Sequence, residues 1–255
     1  PGGKLKEFSL VERFKPTNIK RYFEPFVGGG SIYFNINISN SFINDKSEDL
    51  ISLYNYVKNQ DNEFFNYLNE LNFLWEQLDI NSELNTNIIN KEKFVYYVNK
   101  SLALKSKRIQ CLENEGNKIS NEDKENIKLT ARKTAFYMCI RDIYNDQKEN
   151  KQLHTACFYF IREYCYSSMF RFSKNGNFNV PYGGQSYNLK YMTSKIKQMQ
   201  SNEIILYLKN TIIYNLDFEE FLNLFTLDGN DFIFLDPPYD SEFSTYDNNA
   251  FDKNE

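Results

Sequence analysis

"IKRYFEPFVGGGSIYFNINISNSFIND", residues 19–45, decides the fold of this chain. Its first eight residues read as a short strand that enters a turn at "VGGGS". "SIYFNI", from Ser31, has the spacing of a helix start, with Ser31 or the glycines before it expected as the cap. "SFIND", residues 41–45, is a second short apolar run, and it ends on an acid. "SEDLISLYNYVK" then offers Ser47 as a cap and sets Leu50, Leu53, Tyr54 and Val57 at helical intervals. Strand, glycine-rich turn, helix, strand, acid, helix is how an α/β sheet with crossover helices begins.

The pattern changes near residue 60. Helical periods run through residues 63–78 and 93–104. "ENEGNKISNEDKEN", residues 113–126, is polar and charged and reads as a loop. "RFSKNGNFNVPYGG", residues 171–184, is rich in turn formers and flanked by aromatics, which predicts a hairpin around residues 174–176. Strand-like runs return at "TIIYNL", residues 211–216, and "DFIFLD", residues 231–236. An insert of roughly 125 residues thus interrupts the α/β core.

Composition narrows the classes. With 255 residues and 41% hydrophobic side chains, the chain can build one large domain, or one domain with a sizeable insert. No uninterrupted apolar window of about 18 residues occurs, so no membrane span is expected. The four cysteines form no CxxC pair, which points to a reduced cytoplasmic protein without a zinc site, and no metal is expected. The single histidine, His154, argues against a histidine-based triad. The net charge of −4 is unevenly spread. Residues 91–184 hold 17 Lys plus Arg against 10 Asp plus Glu, and the remainder holds 13 against 24. An acidic body with a basic middle suits a protein that turns one face toward phosphates.

Two stretches carry chemistry. Gly28, Gly29 and Gly30 stand between a strand and a helix, where glycine lets backbone N–H groups approach a ligand closely. Asp45 ends the next strand, where a carboxylate can accept both hydroxyls of a ribose. Tyr33 replaces the third glycine of the nicotinamide fingerprint, and no phosphate-loop Lys-Ser/Thr follows, so the pattern suits a nucleoside cofactor without much phosphate. The second stretch is "DPPY", residues 236–239, straight off the end of a strand. An exocyclic amine on a nucleobase is a poor nucleophile because its lone pair is delocalised into the ring. Two acceptors aimed at its two N–H bonds draw it toward tetrahedral geometry. Asp236 supplies a carboxylate and Pro237 a backbone carbonyl, Pro238 stiffens the turn, and Tyr239 can stack on the base.

"PGGK" at residues 1–4, "EPFVGGGS" at 24–31, "IND" at 43–45, "NGNFNVPYG" at 175–183 and "LDPPY" at 235–239 come in this order. Together they resemble the α-group, Dam-like DNA adenine-N6 methyltransferases of restriction–modification systems and phages, over nearly the whole chain. The resemblance implies a Rossmann-like, S-adenosylmethionine-dependent methyltransferase sheet from residues 1–59 and 186–255. It also implies an inserted, mainly helical target-recognition domain at 60–185, with its hairpin near 170–183. The implied cofactor is S-adenosyl-L-methionine, expected to be held by Lys4, Glu24, Pro25, Phe26, Gly28, Gly30, Asp45 and Asp236. The implied catalytic set is Asp236, Pro237, Pro238 and Tyr239, with Tyr239 expected to stack on a flipped adenine. Tyr166, Arg171, Asn179 and Pro181 are expected at the DNA, Tyr166 as a wedge and Arg171 as a guanine-reading side chain. The resemblance implies double-stranded DNA as the partner, and it allows a cognate restriction endonuclease in the same system. The protein is expected to be a cytoplasmic monomer, prokaryotic or phage-encoded.

The chain departs from that family at three points. The tryptophan that precedes GGK would lie just before Pro1, Gly184 stands where an arginine often follows "PYG", and the strands expected after DPPY to complete the sheet would lie beyond Glu255. The chain therefore reads as a piece of a longer protein. Two other readings stand beside an adenine methyltransferase: amine methylation on cytosine N4 or RNA, and a truncated, non-catalytic DNA-binding fragment. Asp236 favours adenine by resemblance, since those relatives tend toward NPPY-like or SPPY-like tetrads.

Overall fold

A computed structural model describes residues 8–80, 84–115 and 120–237. In chain order its principal elements are α1 (Phe8–Phe14), β1 (Arg21–Glu24), α2 (Tyr33–Ile36), β2 (Ser41–Asn44), α3 (Glu48–Asn59), α4 (Asn62–Gln77), α5 (Lys91–Asn114), α6 (Asn121–Asp146), α7 (Lys151–Tyr164), α8 (Thr193–Met199), α9 (Asn202–Lys209), β3 (Thr211–Tyr214), α10 (Phe218–Asn223) and β4 (Asp231–Ile233). They fall into two compact units, one of residues up to Asn62 and from Lys197 onward, the other Glu63–Ile196. No described helix is long and apolar enough to cross a membrane.

The first unit is built on a parallel sheet of order β3-β2-β1-β4. Parallel strands are covered on both faces, so their residues need not alternate apolar with polar. All four residues of β2 are buried, and Tyr22 and Phe23 of β1 are both wholly buried although they point to opposite faces. On one face Phe23 stacks on its register partner Phe42 at 4.9 Å, and Phe221 of α10 covers the pair together with Phe225. On the other face the Tyr33 ring packs against Tyr54 and Tyr207, and its hydroxyl shares a 2.6 Å hydrogen bond with Thr211 Oγ1. The chain steps outward from β1 to β2 to β3 and then returns to β4 on the other side of β1. The strand order therefore reverses between β1 and β4, and in such sheets the carboxyl ends at the reversal form a crevice.

The register of β4 is fixed at its first residue. Arg21 Nε donates to Asp231 Oδ1 at 2.7 Å and Arg21 Nη2 donates to Asp231 Oδ2, and the two residues are direct strand partners. This two-pronged ion pair sets which residues of the stretch after β4 emerge at the far edge of the sheet.

Helix boundaries answer to capping. Ser47 caps α3 by accepting from Leu50 N, as its position predicts. Ser31 does not cap: α2 starts two residues later, from Ile32, and is a single turn. Residues 113–126 are not one loop. α5 runs on to Asn114, and Ser120 opens α6 with a reciprocal cap, accepting from Asp123 N while the Asp123 carboxylate accepts from Ser120 N. That pair is a helix start that bulk polarity obscured.

In the described residues of the second unit, α4, α6 and α7 enclose Trp75, which packs against Phe136, Phe160, Tyr164 and Tyr182. Lys133 of α6 is wholly buried there. Its ammonium lies 4.1 Å from the Trp75 ring centroid and donates to Trp75 O at 2.7 Å and to Asp79 Oδ1 at 2.8 Å. A buried cation persists only when so paired.

Candidate active site

β1 stops because Pro25 has no N–H to continue the ladder. The chain then folds over the carboxyl edge of the sheet. Val27 N donates to Asn44 O at 2.9 Å, and Gly30 N donates to Val27 O at 2.8 Å. Gly28 and Gly30 adopt φ of 49° and 71°, conformations that cost other residues strain. A side chain on Gly30 would meet the Tyr54 hydroxyl at 2.5 Å, whereas Gly28 faces open space apart from Phe26 O at 4.0 Å. The turn is thus pressed against the fold at one glycine and open at the other.

Asp45 ties this turn to α3. Its Oδ2 accepts from Gly28 N at 2.9 Å and its Oδ1 from Ser47 N at 2.9 Å. Asn44, buried beside it, joins three strand ends: Nδ2 donates to Pro25 O at 3.1 Å and Leu216 O at 3.0 Å, and Oδ1 accepts from Leu216 N at 2.8 Å. Sequence reasoning passed over Asn44. Its signal was an amide at the last position of an otherwise apolar strand, where only a side chain with both donor and acceptor can serve two neighbouring backbones.

Glu24 ends β1 and is only 3% exposed. Its Oε2 accepts from the Tyr22 hydroxyl at 2.6 Å. Burial raises its carboxyl to about 8. The hydrogen bonds from Tyr22 and the Tyr33 backbone oppose that rise, and the charges of Asp236 and Asp45 add to it. Phe26 is half-buried, its ring 5.3 Å from Phe218. Beyond β4 the ladder continues one bond further, Phe234 N donating to Phe23 O at 2.9 Å. Asp236 then leaves the sheet half-buried and Pro237 exposed. Glu24, Pro25, Phe26, Gly28, Gly30, Asp45, Asp236 and Pro237 accordingly lie at the carboxyl edge of neighbouring strands. Lys4, Pro238 and Tyr239 lie outside the described residues.

The other named residues sit in the second unit, on one looped segment. Tyr166 N donates to Pro181 O at 2.8 Å, and Tyr166 leaves its side chain 54% exposed. Ser167 and Ser168, which follow it, both take positive φ, a strained geometry that recurs at functional loops. A tight turn lies between the Phe172 and Phe178 bridge partners, with Gly176 at φ 76°. Across it Asn179 N donates to Arg171 O at 3.1 Å, and Arg171 Nε donates to Asn179 Oδ1 at 2.9 Å. α6 holds this segment from behind. Asn145 exchanges two hydrogen bonds with the Phe178 backbone, and the Tyr137 hydroxyl donates to Val180 O at 2.9 Å. Tyr166, Arg171, Asn179 and Pro181 are therefore gathered on one segment with exposed side chains at Tyr166, Arg171 and Pro181.

A four-stranded parallel sheet flanked by helices, with acids at the ends of β1 and β2 and beyond β4, is consistent with the S-adenosylmethionine-dependent methyltransferase fold. The chain belongs to the D12 class N6 adenine-specific DNA methyltransferase family, whose model matches residues 1–255. It is 25% identical to the type II methyltransferase M.CviBI of Paramecium bursaria Chlorella virus NC1A, covering 100% of this chain and 72% of that protein. It is 28% identical to the type II methyltransferase M.MjaIII of Methanocaldococcus jannaschii, covering 96% and 71%. It is 22% identical to the DNA adenine methylase of Escherichia coli K12, covering 98% and 68%. This family match does not favour cytosine-N4 or RNA methylation, nor a non-catalytic DNA-binding fragment.

Proposed function

We propose that the protein transfers a methyl group from S-adenosylmethionine to the N6 amine of an adenine flipped out of a specific duplex DNA sequence, acting as a site-specific adenine methyltransferase. The observation that carries this is the placing of Glu24, Asp45 and Asp236 at the carboxyl ends of three neighbouring strands, beside the point where strand order reverses.

The residues fit a nucleoside cofactor. Gly28 offers open space above a turn whose N–H is already aligned on Asp45, and the Asp45 carboxylate is held by two backbone donors at 2.9 Å in the orientation that can receive ribose hydroxyls. Phe26 offers an aromatic surface beside the turn, and Lys4 joins the same set. When bound, S-adenosylmethionine supplies an electrophilic methyl on a sulfonium centre.

The chain's own part is to prepare the amine. Asp236 and the Pro237 carbonyl each accept one N–H, which localises the nitrogen lone pair and turns it away from the ring. Tyr239 stacks on the extruded base, and Pro238 keeps the two acceptors in fixed relation. As the N–C bond forms and the methyl–sulfur bond breaks, the nitrogen becomes cationic and sheds one proton along its hydrogen bond to Asp236.

Residues 60–185 form the target-recognition part, in which Arg171 reads a base, Tyr166 wedges into the stack, and Asn179 and Pro181 shape the contact. The protein acts as a monomer in the cytoplasm of a prokaryote or phage-infected cell, alongside a restriction endonuclease of matching specificity. Incubating the protein with methyl-labelled cofactor and unmethylated genomic DNA, then digesting to nucleosides, tests the reaction. Label in N6-methyl-2′-deoxyadenosine is expected, and label in a methylated deoxycytidine or none at all refutes it.

A further inference from the structure

We propose that the outer face of α5 is a second DNA-binding surface, gripping phosphates of the duplex that flanks the recognition segment. The inference rests on the DNA reading above and adds a contact that the recognition segment does not supply.

α5 is 24 residues long, about 36 Å at 1.5 Å per residue, close to one turn of duplex DNA. None of its described side chains is fully buried, and its main packing is against α6. Half-buried Phe94, Tyr97, Val98, Ser101, Leu102 and Ile109 mark its inner face, and Tyr96, Lys100 and Lys107 on its outer face are exposed. Its sequence holds six basic residues against two acidic ones, in a chain whose net charge is −4. Lys100 and Lys107, seven apart, lie two turns along one stripe, with Tyr96 one turn before Lys100. Tyr96 is 58% exposed, and the Lys100 ammonium lies 5.7 Å from its ring centroid. Lys93, on the same stripe, is spent on Asp142 at 2.7 Å, but among the described residues neither Lys100 nor Lys107 makes an ion pair.

The same helix that positions the recognition segment positions this stripe. Asp142 of α6 accepts from Tyr97 at 2.7 Å and pairs with Lys93, which fixes the start of α5. One turn further, Asn145 of α6 holds Phe178 of the recognition segment. Both surfaces thus hang on one turn of one helix. Exposed Val95 and Leu104 also mark α5, but scattered apolar side chains are ordinary on a surface, whereas two cations with no acidic partner and a tyrosine between turns match a polyanion.

The test uses anisotropy of labelled random-sequence duplexes of about 30 and about 12 base pairs across a salt series. For the double variant Lys100→Gln/Lys107→Gln, the slope of log affinity against log salt should fall by about 1.8 on the long duplex, with affinity down on the order of tenfold. On the short duplex the change should be small, and Lys100→Arg/Lys107→Arg should restore the long-duplex slope. Lys128→Gln, which removes a lysine already paired with Glu125, serves as the charge control and should leave the slope alone. An unchanged slope in the double variant, or equal loss on both lengths, overturns the flanking role of α5 while wild-type methylation still stands. A wild type that neither binds nor methylates DNA overturns the enzyme reading and this surface with it.

Discussion

The two units present their functional groups in opposite ways. At the sheet edge the groups are placed by backbone: strand ends, a glycine turn, and N–H groups that orient Asp45. Glu24 is nearly out of reach of water, and Asn44 joins three strand ends from within the core. On the 166–181 segment the groups stand in solvent at the tips of side chains, and the backbone beneath is pinned to an aromatic helical core by Asn145 and Tyr137. A buried, backbone-built edge is suited to fixed chemistry on an invariant cofactor. An exposed segment on a rigid prop is suited to reading partners that vary, because its side chains can change without disturbing the fold. If that contrast holds, substitutions at the edge should damage the reaction on every DNA sequence, and substitutions on the segment should damage discrimination.

The largest effect is expected at Asp236. Asp236→Ala should lower methyl transfer by on the order of 10²–10³-fold or more, alike on all target sequences, as read by label transfer at saturating cofactor. A loss confined to some sequences would break the contrast.

Glu24 comes next and is read through stability. Its folded value of about 8 stands above the ordinary 4.5 of an unfolded chain. Between those values the folded protein keeps a proton that the unfolded chain has lost, so stability falls as pH rises through that window. Glu24→Gln removes this dependence. The variant should match the wild type near and below pH 4.5 and exceed it above pH 8 by on the order of a few kcal/mol, measured by urea denaturation across pH. Parallel pH profiles for the two proteins would show that the Glu24 carboxyl is solvated.

Arg171→Ala should cost about 1–3 kcal/mol of discrimination at one base pair and leave random-duplex binding nearly intact. Equal losses on cognate and random DNA would make Arg171 a phosphate contact instead. The smallest effect is expected for Asn179→Ala, which removes the 2.9 Å prop under Arg171. A loss of about 0.5–1.5 kcal/mol in the same discrimination assay should appear, and it should vanish when Arg171 is already alanine. Additive losses would mean that Asn179 acts on DNA by itself.

Much of the sheet edge was legible because its chemistry is local. "EPFVGGGS" carries its own strand end and positive-φ glycines, and "IND" its own acid, within a few residues of each other. Less legible were features whose partners lie far along the chain. Asn44 looked like one more residue of "IND", since Leu216 is 172 positions away. Arg21 gave no sign that Asp231 would meet it in register. The loop expected over residues 113–126 failed for a different reason: the end of α5 and the first turn of α6 are exposed and polar, so periodicity fades there, and the Ser120–Asp123 cap marks the boundary.

By itself, then, the sequence determined the class of fold, the family, and the places of the glycine turn and of the acid that follows the second strand, because turn chemistry and strand termination act over a few bonds. The tertiary structure alone decided that β4 returns beside β1 and that Glu24 is buried there, which raises its carboxyl, with the charge of Asp236 adding to the rise. It alone decided that α6 props the 171–180 turn at one turn and α5 at the turn before. Those outcomes depend on burial, register and the charge of distant neighbours, which exist only once the chain has packed.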